Sequence, residues 1–172
     1  MNRPACFTLF AILSAVAGAS LAAPFDVGPN ASPAYVKECG SCHFAYQPGL
    51  LPERSWRRLM STLAEHFGES AEVKSPLREE ISRYLAGSAA DHGASRRSQE
   101  IDASIPPSEI PLRVTMVPYI SGVHGGLLDP MRMGRPAVQS LAHCATCHPA
   151  AESGQFQERR YTVSDEAFRR ER

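Results

Sequence analysis

The sequence predicts a mainly α-helical protein made of two small units, and three observations carry that reading. Apolar residues recur at helical spacing between residues 53 and 85, the signature of helices with one buried face. The second half is glycine-rich, with Gly122, Gly125, Gly126 and Gly134 close together, so it reads as loop-rich. Each half also holds one copy of the same five-residue pattern, at Cys39-Gly40-Ser41-Cys42-His43 and at Cys144-Ala145-Thr146-Cys147-His148.

The chain has 172 residues, and the first of them lie outside the fold. Asn2 and Arg3 make a weakly positive start, Phe7 to Ala19 an apolar run, and Ser20-Leu21-Ala22 a small-residue cleavage site. This is the pattern of a secretory signal peptide, residues 1–22, cut after Ala22, which predicts a periplasmic protein. The apolar run is short of the ~20 residues a membrane-spanning helix needs. Removing it leaves 150 residues (172 minus 22). We divide these into an N-terminal domain at 23–88, a linker at 89–111, a C-terminal domain at 112–160 and a charged tail at 161–172. Units so small bury little core alone, and a large apolar cofactor would supply the missing interior.

In the first domain, Ser32-Pro33 predicts a helix start, with Ser as N-cap and Pro at the first position. That helix leads into Cys39 and Cys42. Gln47-Pro48-Gly49 reads as a turn. Glu53 to Phe67 reads as one helix, with Trp56, Leu59, Met60, Leu63 and Phe67 on a common face and Gly68 as its stop. A further helix is expected from Ser75-Pro76 to Leu85, burying Leu77, Ile81, Tyr84 and Leu85, and ended by Gly87.

Residues 89–111 are rich in Ser, Ala, Pro and charge, with little periodicity, and read as linker. Arg113 to Val117 reads as a short strand or extended piece. Pro136 is expected to open a helix that turns Val138 and Leu141 inward and ends at the second cysteine pair.

Charge excludes one class of function. Basic and acidic residues balance at 18 each, and loss of Arg3 leaves the mature chain near −1. No basic face for nucleic acid is indicated. Apart from Lys37 and Lys74 the basic residues are arginines, which pair with carboxylates in forked geometry.

Cysteine usage is more informative. Of five cysteines, Cys6 falls in the signal peptide, and the other four form the two Cys-x-x-Cys-His patterns. That pattern attaches a c-type haem. Two thiols across a tight turn reach the two vinyl groups on one edge of the porphyrin, and the next residue's imidazole lies under the iron. Three alternatives compete: a four-cysteine zinc ribbon, two disulfides, or a redox-active dithiol. The wide separation of the pairs, the added histidines and the lack of a strand-helix setting weigh against them. Cys39, Cys42, Cys144 and Cys147 are therefore expected to bind two haem c groups, with His43 and His148 as iron ligands.

The second axial ligand sets much of an iron's potential, Met raising it and His giving a lower value. In the first domain the candidates are His66 and Met60. His66 sits at the edge of the apolar helical face and Met60 nearer its middle, where Met ordinarily fills core, so His66 is preferred. In the second domain no His or Met follows His148, so the ligand must lie upstream. His124 is chosen, since the neighbouring glycines let backbone pass close to a flat cofactor. Met116, Met131, Met133 and His143 remain alternatives, although His143 lies on the attachment side. His92 reads as an exposed linker residue.

The stretch from Glu38 to Pro52, with Ser55-Trp56 and Leu63 to Gly68, resembles the proteobacterial dihaem cytochrome c family. The likeness resumes at Arg113-Val114-Thr115, Pro118, His124 and Ser140 to His148, and ends at Ala151, Gly154-Gln155-Phe156 and Glu158. His143 departs from it, a small polar residue being expected there. The resemblance implies a class I-like cytochrome c N-terminal domain plus a loop-rich C-terminal haem domain. It implies haems ligated by two histidines each, His43 with His66 and His148 with His124. It further implies electron transfer to or from an oxygen-binding monohaem cytochrome, and a link to a membrane cytochrome b. A monomer with no more than peripheral membrane contact is expected.

The rival function is a haem enzyme, a peroxidase or a reductase of small nitrogen oxides, which needs one iron with an open site. A sensor is a third reading, but no output domain is evident. No nucleophile constellation stands out, so an electron carrier rather than an enzyme is expected.

Overall fold

A computed structural model describes residues 26–125, residue 142 and residues 144–156. The expected signal peptide, the helix from Pro136 and the charged tail fall outside the described residues. Among the described residues, five helices of more than one turn form the frame: α1 (Pro33–Cys39), α2 (Glu53–Ser61), α3 (Leu77–Gly87), α4 (Arg96–Ala103) and α5 (Pro118–Val123). Short 3-10 turns join them, and a single turn, Cys144–Cys147, carries the second cysteine pair. No strand forms among the described residues, in keeping with the mainly α class.

The start of α1 follows from its first residues. The Ser32 hydroxyl accepts from the Tyr35 amide at 3.2 Å, satisfying one orphan donor, and Pro33 occupies a position that needs none. The helix stops at Gly40, whose amide donates to the Val36 carbonyl at 2.9 Å. A Cβ at Gly40 would come within 2.3 Å of that oxygen, so the turn between the two cysteines admits glycine.

The expected long helix from Glu53 to Phe67 is interrupted. α2 ends at Ser61, and a 3-10 turn, Leu63–Glu65, follows it. The Thr62 hydroxyl folds back on the Arg58 carbonyl at 3.0 Å, a side-chain bond that competes with the helix. His66 then pairs with Glu69 through two backbone hydrogen bonds. Phe67 takes a left-handed φ of 55° and is exposed, not part of the buried face.

α2 and α3 pack on each other. Trp56, Leu59, Met60, Ile81 and Leu85 are buried between them and their neighbours, each large side chain contributing roughly 1.5–3 kcal/mol of transfer free energy. The indole of Trp56 donates to the Pro48 carbonyl at 2.8 Å, so its polar edge is satisfied inside.

The stretch expected as an irregular linker differs most. Residues 89–111 contain a 3-10 turn, Ala90–His92, and the helix α4. Ser95 caps α4 by accepting from the Ser98 amide at 3.1 Å. Ile101 is 0 % exposed, and it joins one core cluster with Val27, Leu51, Val117 and Ala151. One apolar residue per turn was too sparse a signal in an otherwise polar helix. Arg113 to Val117 is likewise a 3-10 turn at Val114–Met116 rather than a strand.

The two ends of the described chain meet. The Val27 amide donates to the Gly154 carbonyl at 3.2 Å, and the Phe156 amide to the Asp26 carboxylate at 2.6 Å. Arg97 of α4 stands 3.7 Å from the same carboxylate. Gly154 has φ 71°, and a Cβ there would lie 2.2 Å from the Gly28 carbonyl oxygen.

Candidate metal centres

α1 and the turn after it bring Cys39, Cys42 and His43 to one edge of the first helical layer. Across from them, the backbone pairing of His66 with Glu69 holds the His66 ring facing His43. The two imidazole centroids are 6.0 Å apart with planes 18° from parallel. Tyr46 lies beside His43, its ring centroid 5.5 Å away.

The second centre repeats the spacing on different elements. His124 caps the C-terminus of α5. His148 follows the Cys144–Cys147 turn, its amide donating to the Cys144 carbonyl at 2.8 Å. Their ring centroids are 6.1 Å apart, with planes at 87°. Phe156 packs on His148 at 5.6 Å.

Both spacings fit an iron between two imidazoles. Metal–nitrogen bonds of ~2 Å on either side, plus the distance from nitrogen to ring centre, separate the centroids by about 6 Å. At His43 and His124 the other ring nitrogen is held as such ligation requires. Nδ1 of His43 is 2.7 Å from the Phe44 carbonyl, and Nδ1 of His124 is 2.7 Å from the Ile120 carbonyl. A proton held on Nδ1 by a carbonyl leaves Nε2 as the lone-pair donor. Burial, then the nearby His43 and Arg113, lower the pKa of His66 and favour its neutral, ligating form.

The alternatives fare differently. Met60 is a buried core residue, 7 % exposed, and Met116 points into solvent at 68 %. His92 is exposed and pairs with Glu53 at 2.7 Å. Met131, Met133 and His143 lie outside the described residues. Among the described residues, the four cysteines form no zinc-type cluster and no disulfide. Burial pushes the thiols of Cys39 and Cys144 up to about 11, whereas redox-active dithiols have depressed values.

Several residues around these centres enter the sequence reading only through the family resemblance or as part of a turn. Arg113 stacks over the Phe67 ring at 3.9 Å, beside His66. Gln47, expected in a turn, is 0 % exposed and donates to the Ala151 carbonyl at 2.5 Å. Tyr46 donates to the Ala142 carbonyl at 3.0 Å, two residues before Cys144. Polar residues in a Pro-Gly context read as turn, and only their partners 96 and 104 residues away make them interior.

Comparison with known proteins agrees with this geometry. Residues 35–156 match the family model for dihaem cytochrome c. A solved diheme cytochrome c from Rhodobacter sphaeroides is similar, with a TM-score of 0.66 and 34% identity over 74% of this chain and 98% of that one. A structure of DHC purified from the same organism gives 0.59 and 35%, over 74% and 99%. A diheme cytochrome type c from Shewanella baltica OS155 gives 0.58 and 30%, over 73% and 86%. No curated protein matches the chain. With paired histidines beside both Cys-x-x-Cys-His motifs and a family match across most of its length, this chain belongs to the dihaem cytochrome c family and takes two iron-bearing c-type haems as cofactors.

Proposed function

We infer that the protein transfers electrons through two haems, as its membership of the dihaem cytochrome c family supports. We propose that the protein is a periplasmic carrier, exported behind residues 1–22, and that it is not an enzyme. Cys39 and Cys42 attach one haem and Cys144 and Cys147 the other. His43 with His66, and His148 with His124, are the axial ligands. The observation that carries this reading is the ~6 Å spacing of both imidazole pairs.

A bound haem supplies a reversible one-electron iron couple. The chain does the rest. The Phe44 and Ile120 carbonyls hold protons on the Nδ1 atoms and orient the rings. Filling both axial positions with protein nitrogen denies small molecules a site. The partner in this reading is a small oxygen-binding monohaem cytochrome, with a membrane cytochrome b as a second contact. A monomeric carrier fits such transient exchange.

Carbon monoxide binding to the reduced protein tests the reading. No binding at either iron is expected. Rapid binding at one would reassign that centre to a haem enzyme, a peroxidase or a reductase of small nitrogen oxides.

A further inference from the structure

Phe67 holds a backbone conformation that a bulky side chain disfavours. Its φ of 55° is left-handed, and its ring is 45 % exposed, so full burial does not offset the strain. The two backbone bonds between His66 and Glu69 hold the chain in this shape. So placed, the ring meets two partners. Its centroid is 4.8 Å from that of His66, and the Arg113 guanidinium stands 3.9 Å over it. Arg113 comes from the C-terminal half on an anchored backbone. Val114 and Val117 beside it are core residues, and its carbonyl accepts from the Met116 amide at 2.9 Å.

The strained residue therefore seats a cation beside a ligand of the first centre. Among the described residues Arg113 forms no ion pair, so none of their carboxylates cancels its charge. The two ring distances keep the guanidinium within about 10 Å of the His66 imidazole, the Debye length at 0.1 M salt. An oxidised haem iron carries one more positive charge than a reduced one. A cation fixed nearby disfavours the oxidised state and so raises the potential.

We propose that Arg113, seated on the Phe67 ring, raises the reduction potential of the first iron, and does so more than that of the second. The step it biases is the uptake of one electron by the first iron. No bond forms or breaks, and the guanidinium keeps its charge. Arg113 acts through its field, and Phe67 is the positioning residue that holds it. Neither ligates iron.

This inference rests on the two-haem, four-histidine reading above. The test is a redox titration of the full holoprotein, followed at each iron by electron paramagnetic resonance. Arg113→Gln removes the charge and keeps a long polar side chain. Reduction of the first iron is expected to become about threefold less favourable, in line with the few-fold effect of unit charges at this range near a protein surface. At ~59 mV per tenfold for one electron, the potential falls by roughly 30 mV. The second potential should move less. Arg113→Lys keeps the charge and should stay closer to the parent than to Arg113→Gln. Phe67→Leu keeps the charge and removes its seat, and should lower the first potential by less than Arg113→Gln does. An unmoved first potential in Arg113→Gln overturns the proposal. So does an equal shift at both irons, or the same fall in Arg113→Lys. Loss of the first haem from Arg113→Gln overturns it too, because the residue would then serve retention rather than potential. If the parent protein's own spectra show a first iron without two histidines, the ligand assignment fails instead, and the two failures are distinct.

Discussion

His124 and His148 present their imidazole planes at 87° across a 6.1 Å gap. At the first centre the spacing is almost the same, but His43 and His66 lie within 18° of parallel. With an iron held between each pair, each imidazole would interact with the d orbital that its plane selects. Parallel planes act on one of the two dπ orbitals and split the pair, whereas perpendicular planes act on both and leave them nearly equal. The oxidised protein should therefore give two different low-spin electron paramagnetic signals. One should be ordinary and rhombic, and the other should have a markedly larger maximum g value. Two identical signals would count against the geometry of the second pair.

The ligands can be separated by substitution. His66→Met should keep the first haem and raise its potential by roughly 0.1 V or more, within the ~0.8 V span that axial ligation covers. Potentiometric titration reads this directly, and an unmoved potential would remove His66 from the iron.

His124→Ala should open the second iron, so that the reduced variant binds carbon monoxide where the parent does not. A variant that stays six-coordinate and low-spin would show another residue in that position.

Away from the haems, His92 and Glu53 make an exposed pair with a defined pH window. The bond to Glu53, then the charge of Asp91, raise the pKa of His92 above its ordinary 6.5. Its contribution is full below 6.5 and is lost as pH rises through the raised value. The His92 bond, then the bond from Arg57, lower the pKa of Glu53 below 4.5, so its contribution is present above 4.5 and lost as pH falls through the lowered value. The pair therefore helps most between these two ordinary values. Chemical denaturation should show His92→Ala less stable than the parent at pH 5.5 and indistinguishable from it well above neutrality.

Gly154 offers a test of the closed ends. Gly154→Ala forces a left-handed φ on a residue with a side chain and drives a Cβ into the Gly28 carbonyl. A loss of about 2 kcal/mol is expected, at the middle of the range for such strain, read as a shift in the denaturation midpoint.

The haem chemistry was legible because it is written in contiguous residues. Five in a row specify attachment and one ligand, and no fold is needed to see them. His66 and His124 could be picked out as candidates because the chain has few histidines, and the fold brings their rings beside His43 and His148. The break after Ser61 was not, because the apolar spacing continues through Leu63 while the Thr62 hydroxyl bonds back to Arg58. The burial of Ala89, Ala90, Ile101 and Ile105 was hidden for a related reason. Ile101 and Ile105 are isolated apolar residues in a polar stretch, and only their packing against both units reveals their place. Tyr46 and Gln47 gain their meaning from acceptors far along the chain, which no local pattern encodes.

The contact between Asp26 and Phe156 spans 130 residues and bears on how the molecule is made. A chain synthesised from its N-terminus presents the first attachment motif more than a hundred residues before the second. Until Phe156 has emerged, Asp26 and Val27 have no C-terminal partners, and Tyr46 and Gln47 lack Ala142 and Ala151. Closing so long a loop costs entropy before it returns any contact. The first motif thus emerges in a chain still open at one end, and the second emerges just ahead of the residues that close it.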